Sequence, residues 1–213
     1  MIDVSEQINA VQRVVGSRVL EAGEARIATI SQTYNATIED VWDACTNPER
    51  LPRWFLPVSG ELRVGGHYQL QGNAGGTVEQ CDAPTNFCAT WEYGGDVSRI
   101  EVRLSPAADG GTLFLLEHTG SVGDEKWAEF GPGAIGVGWD MTLTGLALHL
   151  ASGEPNDPDE FMAWMMSDAG REFLTSSSLR WQDANIDAGT DPDVAKAAAE
   201  RTTAAYTAVP TEA

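Results

Sequence analysis

The sequence predicts an α+β fold in which a curved antiparallel sheet wraps around one long helix. Short segments of alternating polar and apolar residues run from 61 to 118, and each gap between them is short enough for a hairpin. One amphipathic stretch at about 134–150 follows them. Because an apolar sheet face and an apolar helix stripe must both leave water, we expect the helix to cover the sheet.

The first 24 residues allow two interpretations, a helix or a strand over 14–20. The helical interpretation rests on one apolar stripe: Ile8, Val11, Val14 and Val15. No basic region precedes an apolar stretch, so a secretory signal is not expected. Residues 25–34 then alternate as the first strand of the main domain, which we place at 25–153.

Two short helices are predicted after that strand. Thr37 is suited to the N-cap of the first, with Asp40 three residues later. Asn47 and Pro48 end this helix and begin a second one, in which Pro48 takes the first helical position. Pro57 ends the pair.

Six strand segments form the predicted meander, at 61–64, 67–71, 77–82, 87–93, 97–105 and 112–118. Their alternation indicates one buried and one wet face. The residues expected beneath the helix are Phe87, Ala89, Trp91, Ile100, Val102 and Leu104. A four-residue loop at 83–86 would make Cys81 and Cys88 cross-strand neighbours on the outer face.

The long helix carries one apolar stripe, at Ile135, Trp139, Leu143, Leu146 and Leu150. Gly136, Gly138 and Gly145 interrupt it, which costs helix stability. We expect some of these glycines to allow close packing and others to leave space for a ligand. Gly153 and Pro155 end the helix.

Residues 154–213 are predicted as an extension of three helices, at about 158–167, 171–187 and 192–208. We expect it to pack on the main domain, since exposing its aromatic residues would be costly. It also carries a Met- and Trp-rich set that could instead serve a homodimer, another protein partner or a lid on a ligand cavity: Trp164, Met165, Met166 and Trp181.

The composition limits the kinds of binding partner and the cellular compartment that we expect for the protein. The net charge is −19, from 32 acidic and 13 basic residues, so nucleic acid is not expected. No apolar run reaches the length of a membrane span. Three cysteines make no disulfide framework, which favours a reducing cytoplasm. No metal-binding spacing occurs, and we expect neither a metal nor a cofactor.

Several ordered motifs carry a resemblance across about residues 25–152. They are TYNATIEDVWDACTNPERLPRWF, GELRVGGHYQL, FCATWEY, GTLFLLEHTG and GVGWDMTLTGLALHL. These resemble the bacterial family similar to the activator of the heat-shock protein 90 ATPase, within the START-like (SRPBCC), birch-pollen-allergen-like superfamily. The resemblance implies a helix-grip fold with a cavity between the sheet and the long helix.

The same resemblance implies a carrier or sensor of a small hydrophobic molecule, such as a lipid, polyketide or aromatic metabolite. Two alternatives stay open: a cyclase or dehydratase that uses this cavity, and a module that assists a chaperone or another protein. The expected ligand-binding residues are Trp54, Phe87, Trp91, Phe114, His118, Trp139 and Leu143. Any of the aromatic ones could equally be plain core.

We assign no catalytic residue. An enzyme would pair His118 with Asp140 or Glu117, because a buried imidazole beside a carboxylate can move protons. A structural histidine at a strand end is the simpler interpretation.

Overall fold

The computed structural model describes residues 3–21, 23–108, 110–120 and 125–208. In this part of the chain, eight strands form a single sheet, and every pair of neighbours is antiparallel. The strands are β1 (Val11–Leu20), β2 (Gly23–Tyr34), β3 (Val58–Gly60), β4 (His67–Leu70), β5 (Gly75–Asp82), β6 (Asn86–Tyr93), β7 (Asp96–Pro106) and β8 (Thr112–Thr119).

The strand order is β1-β2-β8-β7-β6-β5-β4-β3, so the meander from β3 to β8 returns beside β2. The helices are α1 (Val4–Ala10), α2 (Ile38–Thr46), α3 (Glu125–Phe130), α4 (Gly133–Ser152), α5 (Pro158–Met165), α6 (Asp168–Asp187) and α7 (Pro192–Thr207). An antiparallel sheet gripped around α4, with a helical extension behind it, confirms the α+β helix-grip fold.

The N-terminal segment contains both a helix and a strand, the two structures that the sequence left open. Asp3 caps α1, where its carboxylate accepts from the backbone N–H of Glu6 at 2.8 Å. The chain then turns into β1, which pairs with β2 along its whole length, from Val11 opposite Gln32 onwards. The helix has its C-cap at Val11, whose backbone is extended at φ −98° and ψ 128°, and the strand begins at the same residue.

Both short helices predicted after the first strand are present, and the second is a 3₁₀ helix, Leu51–Arg53. It starts later than expected, after a turn in which the side chain of Asn47 accepts from the N–H of Glu49. The strand predicted at 61–64 was wrong. Gly60 takes a left-handed φ of +99°, and the following residues form a turn between β3 and β4.

The cysteine register was also predicted wrongly. The loop between β5 and β6 is one residue shorter than expected, so Cys81 lies opposite Phe87 and Gln80 opposite Cys88. A register shift between Val78 and Gln80 accommodates the change. The two thiols therefore point to different faces, with Cys88 buried and Cys81 exposed, and all three cysteines are free.

The predicted buried sheet face is confirmed. Ala89, Ile100, Val102 and Leu104 are buried, while Phe87 and Trp91 are half-buried. The long helix runs over this face and ends at Gly153, whose φ of +73° is the left-handed cap conformation.

The helix α4 is buried on two sides. Trp139, Leu143 and Leu146 face the sheet, whereas Gly136 and Asp140 face α6. A Cβ at Gly136 would lie 2.2 Å from the Trp181 ring. Gly136 therefore allows close packing between the two helices.

A buried ion pair joins the N-terminal strand, the long helix and the extension. Both oxygens of Asp140 accept from the guanidinium of Arg13, at 2.7 and 3.0 Å. One of them also accepts from Ser177 Oγ at 2.6 Å and from Trp181 Nε1 at 2.9 Å. Arg13 donates further to the carbonyl oxygens of Ile8 and Val11. With every polar atom paired, burial of this charge is tolerated.

The extension lies along α4 through its middle helix, where Phe173, Leu174 and Trp181 are buried. Within the Met- and Trp-rich set, Trp164 and Met165 are half-buried and only Met166 is exposed, at 59%. Most of that set therefore serves packing. The division of the chain at residues 24 and 153, and a protein partner for the extension, stay predictions.

Candidate functional site

A cavity of about 160 Å³ lies between the concave sheet and α4. Six of the seven residues expected to bind a ligand line it: Trp54, Phe87, Trp91, Phe114, Trp139 and Leu143. The sheet contributes its floor through alternate residues of β4 to β8, and α4 contributes its roof. Alternation on a strand sends every second side chain to the same face, which is why Phe87, Trp91 and Phe114 could be found from the sequence. Trp139 and Leu143 followed from their four-residue spacing on α4.

The end of the cavity near α2 is lined by residues of the two short elements after β2 and of the turn that follows them. The indole N–H of Trp54 donates to the carbonyl oxygen of Ala44 at 2.9 Å, and its ring stacks on Phe55 with centroids 5.6 Å apart. Trp42 meets Phe87 edge to face at 6.1 Å. Gly145 allows Trp54 to approach α4 closely, because a Cβ at Gly145 would lie 2.8 Å from the carbonyl oxygen of Trp54.

Few polar groups reach the wall, and in the described part of the chain no Asp, Glu, His, Lys or Arg lines this cavity. Burial raises the pKa of the Cys45 thiol to about 12, so it stays protonated. The hydroxyl of Tyr68 donates to the carbonyl oxygen of Thr90 at 2.7 Å, and burial raises its pKa as well. The wall is thus apolar and uncharged.

His118 lies outside this cavity and lines a second, adjacent one of about 190 Å³. Its Nδ1 accepts from Trp139 Nε1 at 3.0 Å, and because an indole nitrogen only donates, the imidazole proton is on Nε2. Nε2 donates to Ser98 Oγ at 2.8 Å, and Ser98 donates to the carbonyl oxygen of Trp91. Burial lowers the His118 pKa to about 4.

This histidine holds the Trp139 indole in place and has no nitrogen left for a substrate. The predicted acid–base pairs do not form. Asp140 is held instead in its ion pair with Arg13 of β1. Glu117 lies on the outer face of β8 and accepts from Arg18 at 3.0 Å. Neighbouring positions on a helix or a strand point in different directions, which sets both carboxylates apart from His118.

Sequence reasoning missed Phe55 and Tyr206. Phe55 lines both cavities, and Tyr206 comes from α7 to line the second one. Phe55 directly follows Trp54 in the first quoted motif, so it could have been included among the expected ligand-binding residues. No signal in the sequence brings α7 to Trp139, since the contact depends on how the extension folds back.

Within the described ranges, no group of three His, Cys, Asp or Glu side chains is placed to hold a metal ion. No helix there is long and apolar enough to cross a bilayer.

The family profile of the activator of Hsp90 ATPase homolog 1-like protein matches residues 35–151. The chain belongs to this family. The matched region runs from the end of β2 to the last turn of α4, so it contains every residue of the main cavity wall. Tyr206 and Arg13 lie outside it.

The solved structures of CalU16 from Micromonospora echinospora are similar over more than this region. The crystal structure is 34% identical, covers 85% of this chain and 99% of its own, and gives a TM-score of 0.64. The solution structure is 36% identical over 85% of this chain and 97% of its own, with a TM-score of 0.68.

More distant structures share the fold alone. An HSP90 activator from Plasmodium falciparum is 21% identical, covers 62% of this chain and 99% of its own, and gives a TM-score of 0.51. DynU16, a protein of the dynemicin biosynthetic locus, is 18% identical over 61% of this chain and 48% of its own, at a TM-score of 0.55. No curated protein matches the chain.

Proposed function

We propose that the protein binds a small hydrophobic molecule in the main cavity, as a carrier or a sensor. One observation carries this proposal: the cavity between sheet and helix is walled by apolar side chains, with no charged group among the described residues. Ligand sites are commonly concave spaces lined mainly by apolar side chains. Membership of the family and similarity to CalU16 support it at the level of fold.

The size of the cavity bears on what it can hold. An engineered apolar cavity of about 150 Å³ in another protein stays dry and binds benzene. The main cavity, at about 160 Å³, therefore suits a ring-sized apolar group. A probe that buries about 300 Å² of apolar surface would gain at most roughly 8 kcal/mol, which corresponds to micromolar binding.

The cyclase or dehydratase alternative has less support. Acid–base chemistry needs titratable groups that converge on the ligand. The main wall offers Cys45, Cys81 and Tyr68, of which Cys45 and Tyr68 have raised pKa values. The interaction-module alternative predicts an interior filled by side chains, whereas a cavity is present.

The test combines two measurements on the full-length protein. Native mass spectrometry of freshly purified protein should detect a co-purified small molecule. An apolar fluorescent probe should bind with micromolar affinity and quench tryptophan emission. Trp139→Ala removes a residue of the cavity wall and should change the probe affinity at least fivefold. Circular dichroism should show that the variant keeps its fold.

Trp164→Ala is the matched control, because it deletes the same side chain from α5, outside both cavities. It should leave the probe affinity within twofold. If no molecule co-purifies and no probe binds, the carrier or sensor function is wrong and the interaction module is favoured.

A further inference from the structure

The second cavity forms a chamber that adjoins the main one. Four residues line both: Phe55, Trp91, Trp139 and Thr142. The indoles of Trp91 and Trp139 lie 5.1 Å apart between centroids, and His118 accepts a hydrogen bond from Trp139. The remaining lining of the chamber comes from Asn73, His118, Ala134, Ile135, Gly138 and Tyr206.

The chamber differs from the main cavity in its chemistry. Tyr206 brings a hydroxyl whose bond to the carbonyl oxygen of Ala134 is long, at 3.4 Å, and is easily exchanged for a better partner. Burial raises the pKa of this phenol, so it stays a donor. Thr142 donates to the carbonyl oxygen of Gly138 at 2.9 Å and keeps free lone pairs that can accept. Asn73 adds a side-chain amide.

No charged side chain lines the chamber in the part of the chain that the structure describes. His118 contributes no bond, since both of its nitrogens are taken, and it is neutral at ordinary pH. An ionised group placed here would lose its water without gaining a counter-charge. An uncharged hydroxyl or carbonyl group, in contrast, would find a donor and acceptors.

Gly138 explains why the space is open. A Cβ built at this position meets only the Tyr206 hydroxyl within 4 Å, at 3.5 Å. Gly136 and Gly145 on the same helix are instead packed against Trp181 and the Trp54 backbone. Apart from this ordinary contact with Tyr206, no side chain or backbone is packed against Gly138, which leaves room on the chamber side.

We propose that the ligand is amphipathic, with a ring-sized apolar body in the main cavity and a neutral hydroxyl or carbonyl end in the second chamber, where Tyr206 recognises it. This rests on the proposed function of the main cavity. The extension thereby gains a role in specificity, because α7 supplies the recognising hydroxyl.

Three probes of one shape test the proposal in full-length protein: biphenyl, 4-hydroxybiphenyl and biphenyl-4-carboxylate, measured by tryptophan quenching or calorimetry. The hydroxyl should tighten binding about fivefold relative to biphenyl, the gain of one net hydrogen bond. The carboxylate should bind at least about tenfold more weakly than biphenyl, owing to desolvation of its charge.

Two variants locate the effect. Tyr206→Phe removes one oxygen, and Gly138→Ala places a methyl group in the chamber. The hydroxyl advantage is the dissociation constant of biphenyl divided by that of 4-hydroxybiphenyl. Each variant should reduce this ratio to below about twofold. Tyr93→Phe makes the same change on an exposed side chain away from both cavities, and should leave the ratio unchanged.

The outcomes separate this proposal from the one on which it rests. If biphenyl binds but the hydroxyl brings no advantage, or if Tyr206→Phe preserves that advantage, the polar chamber has no part in recognition and the inference fails alone. If none of the three probes binds, the proposed ligand-binding function fails together with it.

Discussion

Replacing His118 by Asn should make the stability of the protein less sensitive to acid pH, because His118 stays neutral only in the folded state. Burial lowers the His118 pKa from 6.5 to about 4 in the folded protein. The unfolded chain therefore binds a proton below about pH 6.5, whereas the folded chain stays neutral until about pH 4. The stabilisation from this group is complete above the unfolded pKa and is lost as the pH falls towards the folded one.

The magnitude follows from the two pKa values. One unit of pKa difference is worth about 1.4 kcal/mol, so the whole shift is worth roughly 3 kcal/mol. Between about pH 7 and pH 5, the protonation of the unfolded chain covers most of that range and should cost about 2 kcal/mol of unfolding free energy. Asn can still accept from Trp139 Nε1 through its carbonyl oxygen, but does not titrate.

Urea unfolding of the native and His118→Asn proteins at these two pH values measures the effect. Carboxylates contribute equally to both proteins, so the difference between the two losses isolates His118. The native protein should lose about 2 kcal/mol more than the variant. Equal losses in both would show that His118 is not held neutral, and would remove the argument for its structural role.

The remaining predictions concern the ion pair, the thiols and the helix glycines. Asp140→Asn leaves the Arg13 charge buried and unpaired and should lower the unfolding free energy by about 3–5 kcal/mol. In denaturant without reductant, a thiol reagent should count three free thiols, and in the native protein only Cys81 should react quickly. Gly136→Ala should cost about 2 kcal/mol through overpacking against the indole of α6, whereas Gly138→Ala should be neutral or stabilise by up to about 1 kcal/mol.

Each of these has a control or a contrary outcome. Glu117→Gln breaks an ion pair whose Arg18 partner is 47% exposed, and should cost less than about 1 kcal/mol. If Asp140→Asn lowers the unfolding free energy by no more than Glu117→Gln does, the ion pair of Asp140 with Arg13 is not buried. A count of one free thiol would overturn the expectation of reduced cysteines. Equal melting temperatures for the two glycine variants would contradict the packing of α6 on α4.

The sequence by itself determined the sheet, the long helix and several of the large aromatic residues of the cavity wall. Alternation in β6 and β7 sorts residues such as Ala89 and Val102 to one face whatever the rest of the fold does. The cap at Gly153 and the N-cap at Thr37 are equally local, because they satisfy backbone groups within a few residues.

Only the tertiary structure decided register, pairing and the second chamber. The loop after Asp82 proved one residue shorter than predicted, and this alone moved Cys81 opposite Phe87. The carboxylate of Asp140 turned to Arg13, a residue 127 positions away. Tyr206 reached Gly138 only because α7 folds back over α4. Contacts of this kind depend on how whole elements pack, and local periodicity carries no information about which distant side chain will meet them.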